Sequence, residues 1–386
     1  HVGKMLRGNK EFVMIDSQKI VYERAMSFVN SSTEEKKKVL LVQGGPGTGK
    51  SVIAVNLLAK ITNAGKMAQY VTKNSAPRQV YQSLLSETFK KTEIANLFKG
   101  SGSYVDTEYN AYDALIVDEA HRLNEKSGLF YNKGENQIKE LIHSSKVSIF
   151  FIDDAQRIHI KDIGSSDEIR KWAKKFDADI EEIELTSQFR CAGSDGYLAW
   201  VDHILGIRET ANYDLSELNY DFQVFDSPAN MRDEIFEKNK INNKSRLVAG
   251  YCWDWVSKKN SKAKDISLSP YNFSMQWNLG DDGMLWMIKD NSVEQIGCIH
   301  TCQGLELDYV GVIIGPDLQM KNGQLITDPS SRSGNDRSIF GWKKQMKANP
   351  KVTLKKLDSI IRNTYRTLMT RGMKGCYVYA VDKELN

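Results

Sequence analysis

At residues 43–51 the chain contains the sequence QGGPGTGKS, and this stretch decides how the rest of the sequence is interpreted. It lies at the end of an apolar run typical of a buried strand, residues 39–43, and it precedes a helical pattern that begins near Ser51. Glycines let backbone N–H groups turn inward around an anion, and the start of a helix adds a favourable dipole. The stretch therefore predicts a loop that binds the phosphates of a nucleotide.

Each residue type in this loop has an expected task. Lys50 is predicted to reach the β- and γ-phosphates, and the hydroxyl of Ser51 is predicted to be a ligand of Mg²⁺. The residues predicted to bind the nucleotide here are Gly45, Pro46, Gly47, Thr48, Gly49, Lys50 and Ser51. The alternative is a glycine-rich turn that matches by chance, and the position between a strand and a helix argues against it.

A second apolar run, residues 114–117, is followed directly by two carboxylates, Asp118 and Glu119. Asp118 is predicted to hold Mg²⁺ through its water shell. Glu119 is predicted to orient and deprotonate the attacking water. The alternative is a helix N-cap after a buried strand, where acidic residues are common. With the phosphate loop upstream, the two runs predict a site that binds a nucleoside triphosphate with Mg²⁺ and hydrolyses it.

Strand-like runs alternate with longer helical patterns along the whole chain, which predicts an α/β fold with largely parallel sheets. The first set of strands comprises residues 39–43, 114–117, 147–152 and 183–186, and the second comprises residues 246–252, 310–314 and 376–380. A polar stretch, residues 207–221, separates the sets. We therefore predict two domains, residues 1–212 and 213–386. Two stretches, residues 258–290 and 317–347, are predicted to be loops or insertions.

Composition bounds the class of protein. The 386 residues suffice for two domains, and a net charge of +4 neither requires nor excludes a nucleic-acid partner. The sequence contains neither an apolar run long enough to span a membrane nor a secretory signal. The five cysteines include no Cys-x-x-Cys pair, which favours reduced thiols and a cytoplasmic protein. The chain begins with His1 and not with Met, which leaves room for a further segment upstream.

Six further stretches narrow the reaction context. They read FVMIDSQ at residues 12–18, YVTKNSA at 70–76, FIDDAQ at 151–156, QFR at 188–190, IHTCQGLELD at 299–308 and NTYRTLMTR at 363–371. With the phosphate loop, they resemble the motifs of superfamily-1 helicases in their order. More closely, the chain resembles the bacterial Schlafen-type DNA/RNA helicase domain, from Phe12 to about Asp382. This resemblance implies two RecA-like P-loop NTPase lobes with the nucleotide in the cleft between them.

The resemblance also implies roles for individual residues. Gln18 is expected at the adenine edge and Glu306 at the ribose hydroxyl of the nucleotide. Gln156 is expected to sense the γ-phosphate, and Arg190 and Arg371 are expected to be arginine fingers. Nucleic-acid contacts are expected from Thr72, Asn74, Ser75, His300, Thr301 and Gln303. At residue 152, isoleucine stands where the family's third motif has glycine.

The function predicted from these features is an ATP-dependent helicase or translocase on single-stranded DNA or RNA. An alternative is a nucleotide-dependent switch that controls a fused or separate effector, such as a nuclease, without travelling. Another is a nucleic-acid-binding scaffold that does not hydrolyse ATP. Glu119, Arg190 and Arg371 favour turnover. Only about forty residues separate Asn74 from Ala114, near the lower limit for a separate domain, so we expect a compact core that unwinds duplexes poorly.

Aromatic residues crowd the region of the first predicted insertion. They are Trp253, Trp255, Tyr271, Trp277 and Trp286. Stacking on unpaired bases is one interpretation, and packing in a core is the other. For any single aromatic, packing is favoured. A lysine-rich stretch, residues 258–264, is more typical of a solvated loop than of a phosphate-binding track.

Overall fold

The chain forms two compact units, each with its own sheet. The computed structural model describes residues 14, 16–45, 48–73, 91–128, 131–185, 195–208, 215, 220–260, 262–278, 286, 290–302 and 307–386. The first unit comprises His1–Arg157 and Lys161–Ser187, and the second comprises Ile158–Ile160 and Gln188–Asn386. The boundary predicted between residues 212 and 213 lies further along the chain than this division.

The first unit is built on one parallel sheet. Its described strands are β1 (Lys38–Gly44), β2 (Ala68–Val71), β3 (Phe98–Lys99), β4 (Tyr112–Val117), β5 (Ser145–Ile152) and β6 (Asp179–Leu185). Its described helices are α1 (Asp16–Asn30), α2 (Lys50–Asn63), α3 (Lys91–Leu97), α4 (Gln137–Ser144) and α5 (Ser166–Lys175). The strand order is β3-β2-β4-β5-β1-β6, and every described pair is parallel.

Successive side chains of the central strands enter two different apolar cores. In β1, Leu40 and Val42 pack with residues of α1 and α2 on one face of the sheet. Val39 and Leu41 pack with residues of α4 and α5 on the other face. A strand covered on both faces needs apolar residues at every position, which is why these strands read as uninterrupted apolar runs.

The second unit also contains a largely parallel sheet. Its described strands are β7 (Asp221–Val224), β8 (Ser245–Ala249), β9 (Ile266–Leu268), β10 (Phe273–Trp277), β11 (Gln295–Gly297), β12 (Leu307–Ile314), β13 (Leu318–Lys321), β14 (Gln324–Thr327) and β15 (Gly372–Ala380). Its described helices are α6 (Asp195–Ile204), α7 (Pro228–Asn242), α8 (Ile299–Cys302), α9 (Trp342–Ala348) and α10 (Pro350–Met369). The main sheet has the order β7-β15-β12-β8-β11-β10-β9, and among its described strand pairs only β9 with β10 is antiparallel. Strands β13 and β14 form a separate antiparallel pair.

The second sheet is likewise covered on both faces. Val310 and Val312 of β12 pack with residues of α6 and α10. Leu247 of β8 and Ile313 of β12 belong to another core, which contains residues of α7, β9 and β10. In the described part of the chain, no helix has both the length and the apolar character needed to cross a membrane.

The predicted α/β fold with parallel sheets is confirmed, while several predicted boundaries change. The strand predicted at residues 246–252 ends at Ala249, because the Cys252 amide donates to the carbonyl of Gly250 in a tight turn. The stretch predicted to be a loop at residues 258–290 contains β9 and β10, and the one at 317–347 contains β13, β14 and all but the last residue of α9. Strands of three to five residues present too few positions for a periodic signal.

Candidate nucleotide-binding site

The predicted phosphate loop joins the carboxyl end of β1 to the first turn of α2. Gly49, the residue before α2, has a left-handed backbone with φ of +79°. A β-carbon at this position would lie 2.2 Å from Nε2 of Gln18. Glycine is therefore favoured at residue 49 on two separate grounds, backbone conformation and space. Pro46 and Gly47 lie outside the described residues.

Helix α1 brings Gln18 against the loop. The Gln18 side chain is buried, and its Nε2 donates to the carbonyl oxygen of Thr48 at 3.1 Å. The Thr48 hydroxyl donates in turn to the carbonyl oxygen of Gly45 at 3.0 Å. Gln18 therefore lies beside the loop, and recognition of adenine by Gln18 stays a prediction.

Lys50 and Ser51 begin α2 and point to different partners. The Lys50 ammonium donates to the carbonyl oxygens of Gly44 at 2.6 Å and Gly45 at 2.7 Å, so it lies inside the curve of the loop. The Ser51 hydroxyl donates to Oδ2 of Asp118 at 2.6 Å. The hydroxyl and the carboxylate that are predicted to hold Mg²⁺ are therefore neighbours.

Asp118 follows β4 and is enclosed by donors. It is 1% exposed, and its Oδ2 also accepts from the Tyr70 hydroxyl at 2.5 Å. Its Oδ1 accepts from the backbone N–H of Glu119 at 2.9 Å. Burial, and next the neighbouring Glu119 carboxylate, raise the pKa of Asp118, while the hydroxyls of Ser51 and Tyr70 act in the opposite direction. The carboxylates of Asp118 and Glu119 are both buried, and the ammonium of Lys50 is a nearby positive charge. Carboxylate oxygens are hard ligands, which suit a divalent cation such as Mg²⁺.

Glu119 has an unusual backbone and a buried neighbour. Its φ of +55° lies in the left-handed region, and the residue is 8% exposed. Its Oε2 lies 2.9 Å from Nε2 of His121, a close contact in which the ring N–H is not aligned well enough for a hydrogen bond. Nδ1 of His121 accepts a long hydrogen bond, 3.4 Å, from the backbone N–H of Asp153. Because Nδ1 accepts, Nε2 is the ring nitrogen that carries a proton toward Glu119.

Asp153 links this histidine to the third predicted motif. Its Oδ1 accepts from the backbone N–H of Ala155 at 3.0 Å and begins a short 3₁₀ helix, Asp154–Gln156. Its Oδ2 accepts from Nε2 of Gln156 at 2.9 Å, and Gln156 is buried. A chain of contacts therefore runs from Glu119 through His121 and Asp153 to Gln156. The sequence contained all four residues, but nothing in their spacing indicated that His121 joins the other two motifs.

Isoleucine in place of the family's glycine does not disturb the third motif. Ile152 is the last residue of β5 and is fully buried in the core that contains α4 and α5. The turn begins after it, at Asp153, which has an extended backbone that any residue can adopt. The motif's polar residues therefore take their positions without glycine at residue 152.

Thr72 and Lys73 follow β2 in the segment predicted to contact nucleic acid. Thr72 is fully buried, and its hydroxyl has no hydrogen-bond partner among the described residues. The Lys73 ammonium donates to Oδ1 of Asn124 at 2.7 Å and lies 3.6 Å from Asp162. Burial lowers the pKa of Lys73 to about 8, although the Asp162 carboxylate raises it. No pattern in the sequence indicates a role for Lys73, because its partners Asn124 and Asp162 lie far along the chain.

In the second unit, the structure describes part of the predicted set. Thr301 lies in α8, and its hydroxyl donates to the carbonyl of Cys298 at 2.8 Å and accepts from the Cys298 amide at 3.0 Å. For His300 the structure describes only the backbone, also in α8. Nε of Arg371 donates to the carbonyl of Thr367 at 3.0 Å. Besides Pro46 and Gly47, the predicted residues outside the described ranges are Asn74, Ser75, Arg190, Gln303 and Glu306.

Arg371 is also tied to the segment that follows residues 303–306. Its carbonyl oxygen accepts from the backbone N–H of Leu307, the first residue of β12, at 3.1 Å. Two of the predicted motifs of the second unit therefore meet at the amino ends of the neighbouring strands β12 and β15.

A family model and a curated relative both match this chain over most of its length. The model of the family described as Schlafen group 3, DNA/RNA helicase domain, matches residues 37–382. An uncharacterized protein of Saccharomyces cerevisiae, YPL245W, is 26% identical over 410 residues, which cover 95% of this chain and 88% of the yeast protein.

Two solved structures illustrate the more distant similarities. A DEAD box protein from the hyperthermophile Methanococcus jannaschii is 11% identical, with 97% of this chain and 93% of that chain covered and a TM-score of 0.33. AMPPCP-bound DnaA from Aquifex aeolicus is 14% identical, with 55% of this chain and 58% of that chain covered and a TM-score of 0.28. The match thus spans less than two thirds of DnaA. TM-scores this low carry no functional argument, and the family model alone identifies the family.

Proposed function

Because this chain belongs to the Schlafen group 3 DNA/RNA helicase domain family, we propose that it is an ATP-dependent motor of the superfamily-1 type that acts on single-stranded nucleic acid. The observation that carries the proposal is the convergence of Lys50, Ser51, Asp118 and Glu119 at the carboxyl ends of β1 and β4. Ligands of α/β folds bind at this edge of a parallel sheet.

In the proposed reaction the loop and Lys50 bind the phosphates of ATP. The loop carbonyls of Gly44 and Gly45 hold the ammonium inside the loop beforehand, so little side-chain ordering remains to be done when a nucleotide arrives. Binding then exchanges carbonyl acceptors for phosphate oxygens, which carry more negative charge and accept stronger hydrogen bonds. Gln18 beside the loop is suited to recognise the base, since an amide both donates and accepts.

Ser51 and Asp118 are the residues that would hold Mg²⁺. Hydroxyl and carboxylate oxygens are preferred ligands of this ion, and the two lie in direct contact. When bound, the ion neutralises charge that develops on the phosphate oxygens. The hydroxyl of Tyr70 stays on the same carboxylate oxygen and limits its rotation.

Glu119 is the proposed general base for the attacking water. His121 faces it with a ring N–H and orients the carboxylate, since its other nitrogen is held by the backbone of Asp153. Gln156 donates a hydrogen bond to the carboxylate of the same Asp153. We therefore expect a change at Gln156 to be transmitted through Asp153 and His121 to Glu119, and a change at Glu119 to be transmitted back. Arg190 and Arg371 remain sequence-based proposals as arginine fingers.

The test is steady-state ATP hydrolysis by the purified chain, alone and with single-stranded DNA or RNA. We expect hydrolysis to increase with one polymer and to be lost in Lys50→Ala, whereas Lys60→Ala, an exposed lysine on the same helix, keeps it. Arg371→Ala is expected to lower the rate by orders of magnitude if this arginine is a finger.

Several outcomes would count against the motor. Hydrolysis that persists in Lys50→Ala would place the reaction elsewhere, in a contaminant or at another site. Slow hydrolysis that neither polymer changes would favour the nucleotide-dependent switch instead. The absence of hydrolysis in the wild-type chain, with salt-dependent binding of strands, would favour a scaffold.

A further inference from the structure

A cavity of about 460 Å³ opens beyond the carboxyl end of β8, in the second unit. The volume falls within the range of about 300–1,000 Å³ that is usual for small-molecule sites, and it suffices for one nucleotide. The walls combine two aromatic rings, three basic side chains and one acidic side chain. These are Tyr251, Trp255, Lys258, Lys259, Arg337 and Asp254.

The cavity lies at a favourable position in the sheet. Strand β8 lies between β11 and β12 in the sheet. The next strands along the chain, β9 to β11, lie on one side of β8, and the later strands β12 and β15 lie on the other side. In open α/β sheets, the crevice at the carboxyl ends of strands where the order reverses is where ligands bind. Helix α8, with His300 and Thr301, follows the neighbouring parallel strand β11. The cavity and the segment predicted to contact nucleic acid therefore lie at the same edge.

The charge around the cavity favours an anion. Lys258, Lys259 and Arg337 are exposed, whereas Asp254 already accepts hydrogen bonds from the Ser333 hydroxyl and from Asn335. The three basic groups outnumber the carboxylate of Asp254 in the cavity lining, and both hydrogen bonds to that carboxylate are accepted by Oδ1. Exposed cations near a concave surface attract phosphates by long-range electrostatics.

Trp255 supplies a flat surface whose present partner can be displaced. The Lys258 ammonium lies 4.0 Å from the centre of the Trp255 ring, a cation–π contact of an exposed lysine. The indole N–H has no hydrogen-bond partner among the described residues, so contacts with Tyr251 and Trp277, and not a hydrogen bond, hold the ring. A base can take the place of the ammonium without breaking a buried polar contact.

We propose that this cavity binds one unpaired nucleotide of a DNA or RNA strand, with its base stacked on Trp255 and its flanking phosphates paired with Lys258, Lys259 and Arg337. The proposal rests on the proposed function and adds a contact surface to it. Stacking on an aromatic ring is available to every base, so the site holds a strand without selecting its sequence. The ammonium of Lys258 moves from the ring to a phosphate, which keeps its charge paired in both states.

The first measurement is binding of fluorescent single strands of about 20 nucleotides, DNA and RNA, to the full chain over a salt series. Lys258→Gln with Lys259→Gln removes two charges at the cavity. Lys351→Gln with Lys355→Gln removes two exposed charges from α10, outside the cavity lining, and is the matched control. Each phosphate contact contributes about −0.7 to the slope of log affinity against log salt, so the cavity pair should reduce the slope by roughly 1.4 and the control by much less.

The second measurement concerns the ring. Trp255→Ala should weaken strand binding about tenfold, and Trp255→Phe, which keeps an aromatic face, by less than about threefold. Because Trp255 also packs against the core, thermal unfolding of each variant accompanies the titration. Strands that carry 5-iodouracil, a photoreactive base, should cross-link to Trp255 or Tyr251 when irradiated, as identified by mass spectrometry of the wild-type complex.

The outcomes separate this inference from the proposed function. If the wild-type chain binds no strand, the proposed function fails and the cavity inference fails with it. If strands bind and stimulate hydrolysis, but the cavity pair behaves as the control pair and cross-links lie elsewhere, the cavity inference alone is overturned. Competition by free nucleotides as effective per nucleotide as a strand, or by polyglutamate of equal charge, would also overturn it.

Discussion

Replacement of His121 tests whether the proposed general base is oriented by the buried side chain behind it. The ring faces Glu119 with Nε2 and accepts from the Asp153 backbone with Nδ1. Two substitutions separate the donor from the acceptor. The side-chain nitrogen of glutamine reaches the position of Nε2, and the side-chain oxygen of asparagine takes the position of Nδ1. His121→Gln therefore keeps the donor toward Glu119, while His121→Asn keeps only the acceptor for Asp153.

The expected size of the effect follows from the contacts. Partners that orient a reactive or metal-binding group from behind are typically worth about 10–100-fold, or about 1.4–2.7 kcal/mol of transition-state free energy. We expect His121→Asn to lower kcat by that amount and His121→Gln to stay within about threefold of the wild type. KM for ATP should change by less than about threefold, because the phosphate loop keeps its own contacts.

The assay is coupled ATP hydrolysis at saturating strand, with circular dichroism melting curves to confirm that both variants fold. Glu119→Gln sets the floor of the measurement. Equal losses in the two variants would mean that the buried volume of the ring, and not the N–H toward Glu119, is what matters. A change confined to KM, or no change in His121→Asn, would refute orientation of Glu119 by His121.

Three further outcomes follow from the geometry. Gly49→Ala should destabilise the chain by about 1–2 kcal/mol in urea unfolding, because φ at this residue is +79°. Adding Gln18→Ala to that variant should recover at least about 0.5 kcal/mol, because it removes the side chain that the new β-carbon meets. Strictly additive effects of the two substitutions would contradict this contact. The pKa of Lys73 is lowered from 10.5 to about 8, so the unfolded chain binds the proton more tightly. Relative to Lys73→Met, the wild-type free energy of unfolding should therefore rise by about 2–3 kcal/mol between pH 8 and 10.5, and a constant difference would contradict burial of the ammonium. Asp202→Ala leaves the buried Arg366 guanidinium without its carboxylate and should cost about 3–5 kcal/mol in thermal unfolding; a cost under about 1 kcal/mol would mean that other contacts satisfy the arginine.

Much of the fold could be predicted from the sequence, because strands buried on both faces are apolar throughout. β4 and β12 were located by such runs, and the glycine-rich stretch fixed where β1 ends and α2 begins. The short strands β9 and β10 were missed, since their pairing depends on contacts with distant parts of the chain. Prediction thus succeeded where a local pattern is sufficient and failed where tertiary contacts decide.

In the candidate site as well, local patterns in the sequence predicted some residues, while contacts between distant parts of the chain decide the others. Lys50 and Asp118 belong to motifs with fixed spacing, and the structure brings them together with Ser51. Tyr70 reaches Asp118 from the neighbouring strand β2, a contact that depends on sheet order and not on spacing in the sequence. His121 lies two residues after Glu119 in the sequence, but its link to the third motif depends on the adjacency of β4 and β5.

The aromatic residues between Trp253 and Trp286 do not all pack in a core. Trp277 and Trp286 are fully buried, as the favoured interpretation of core packing expects. Trp255 is half-buried and lines the cavity beyond β8. Composition alone could not separate them, because all three lie in one aromatic-rich segment and only the position of each ring relative to the sheet distinguishes a core residue from a cavity wall.

The left-handed backbone of Glu119 has an evolutionary consequence. A glutamate in that conformation costs about 1–2 kcal/mol relative to glycine, and its carboxylate is buried beside that of Asp118. The proposed role of Glu119 as the general base of hydrolysis gives a reason to retain such a residue. In a lineage that only binds nucleotide, replacement of this residue by glycine or asparagine would remove both the backbone strain and the repulsion between the two buried carboxylates. Residue 119 should therefore distinguish relatives that turn over ATP from relatives that have lost the reaction.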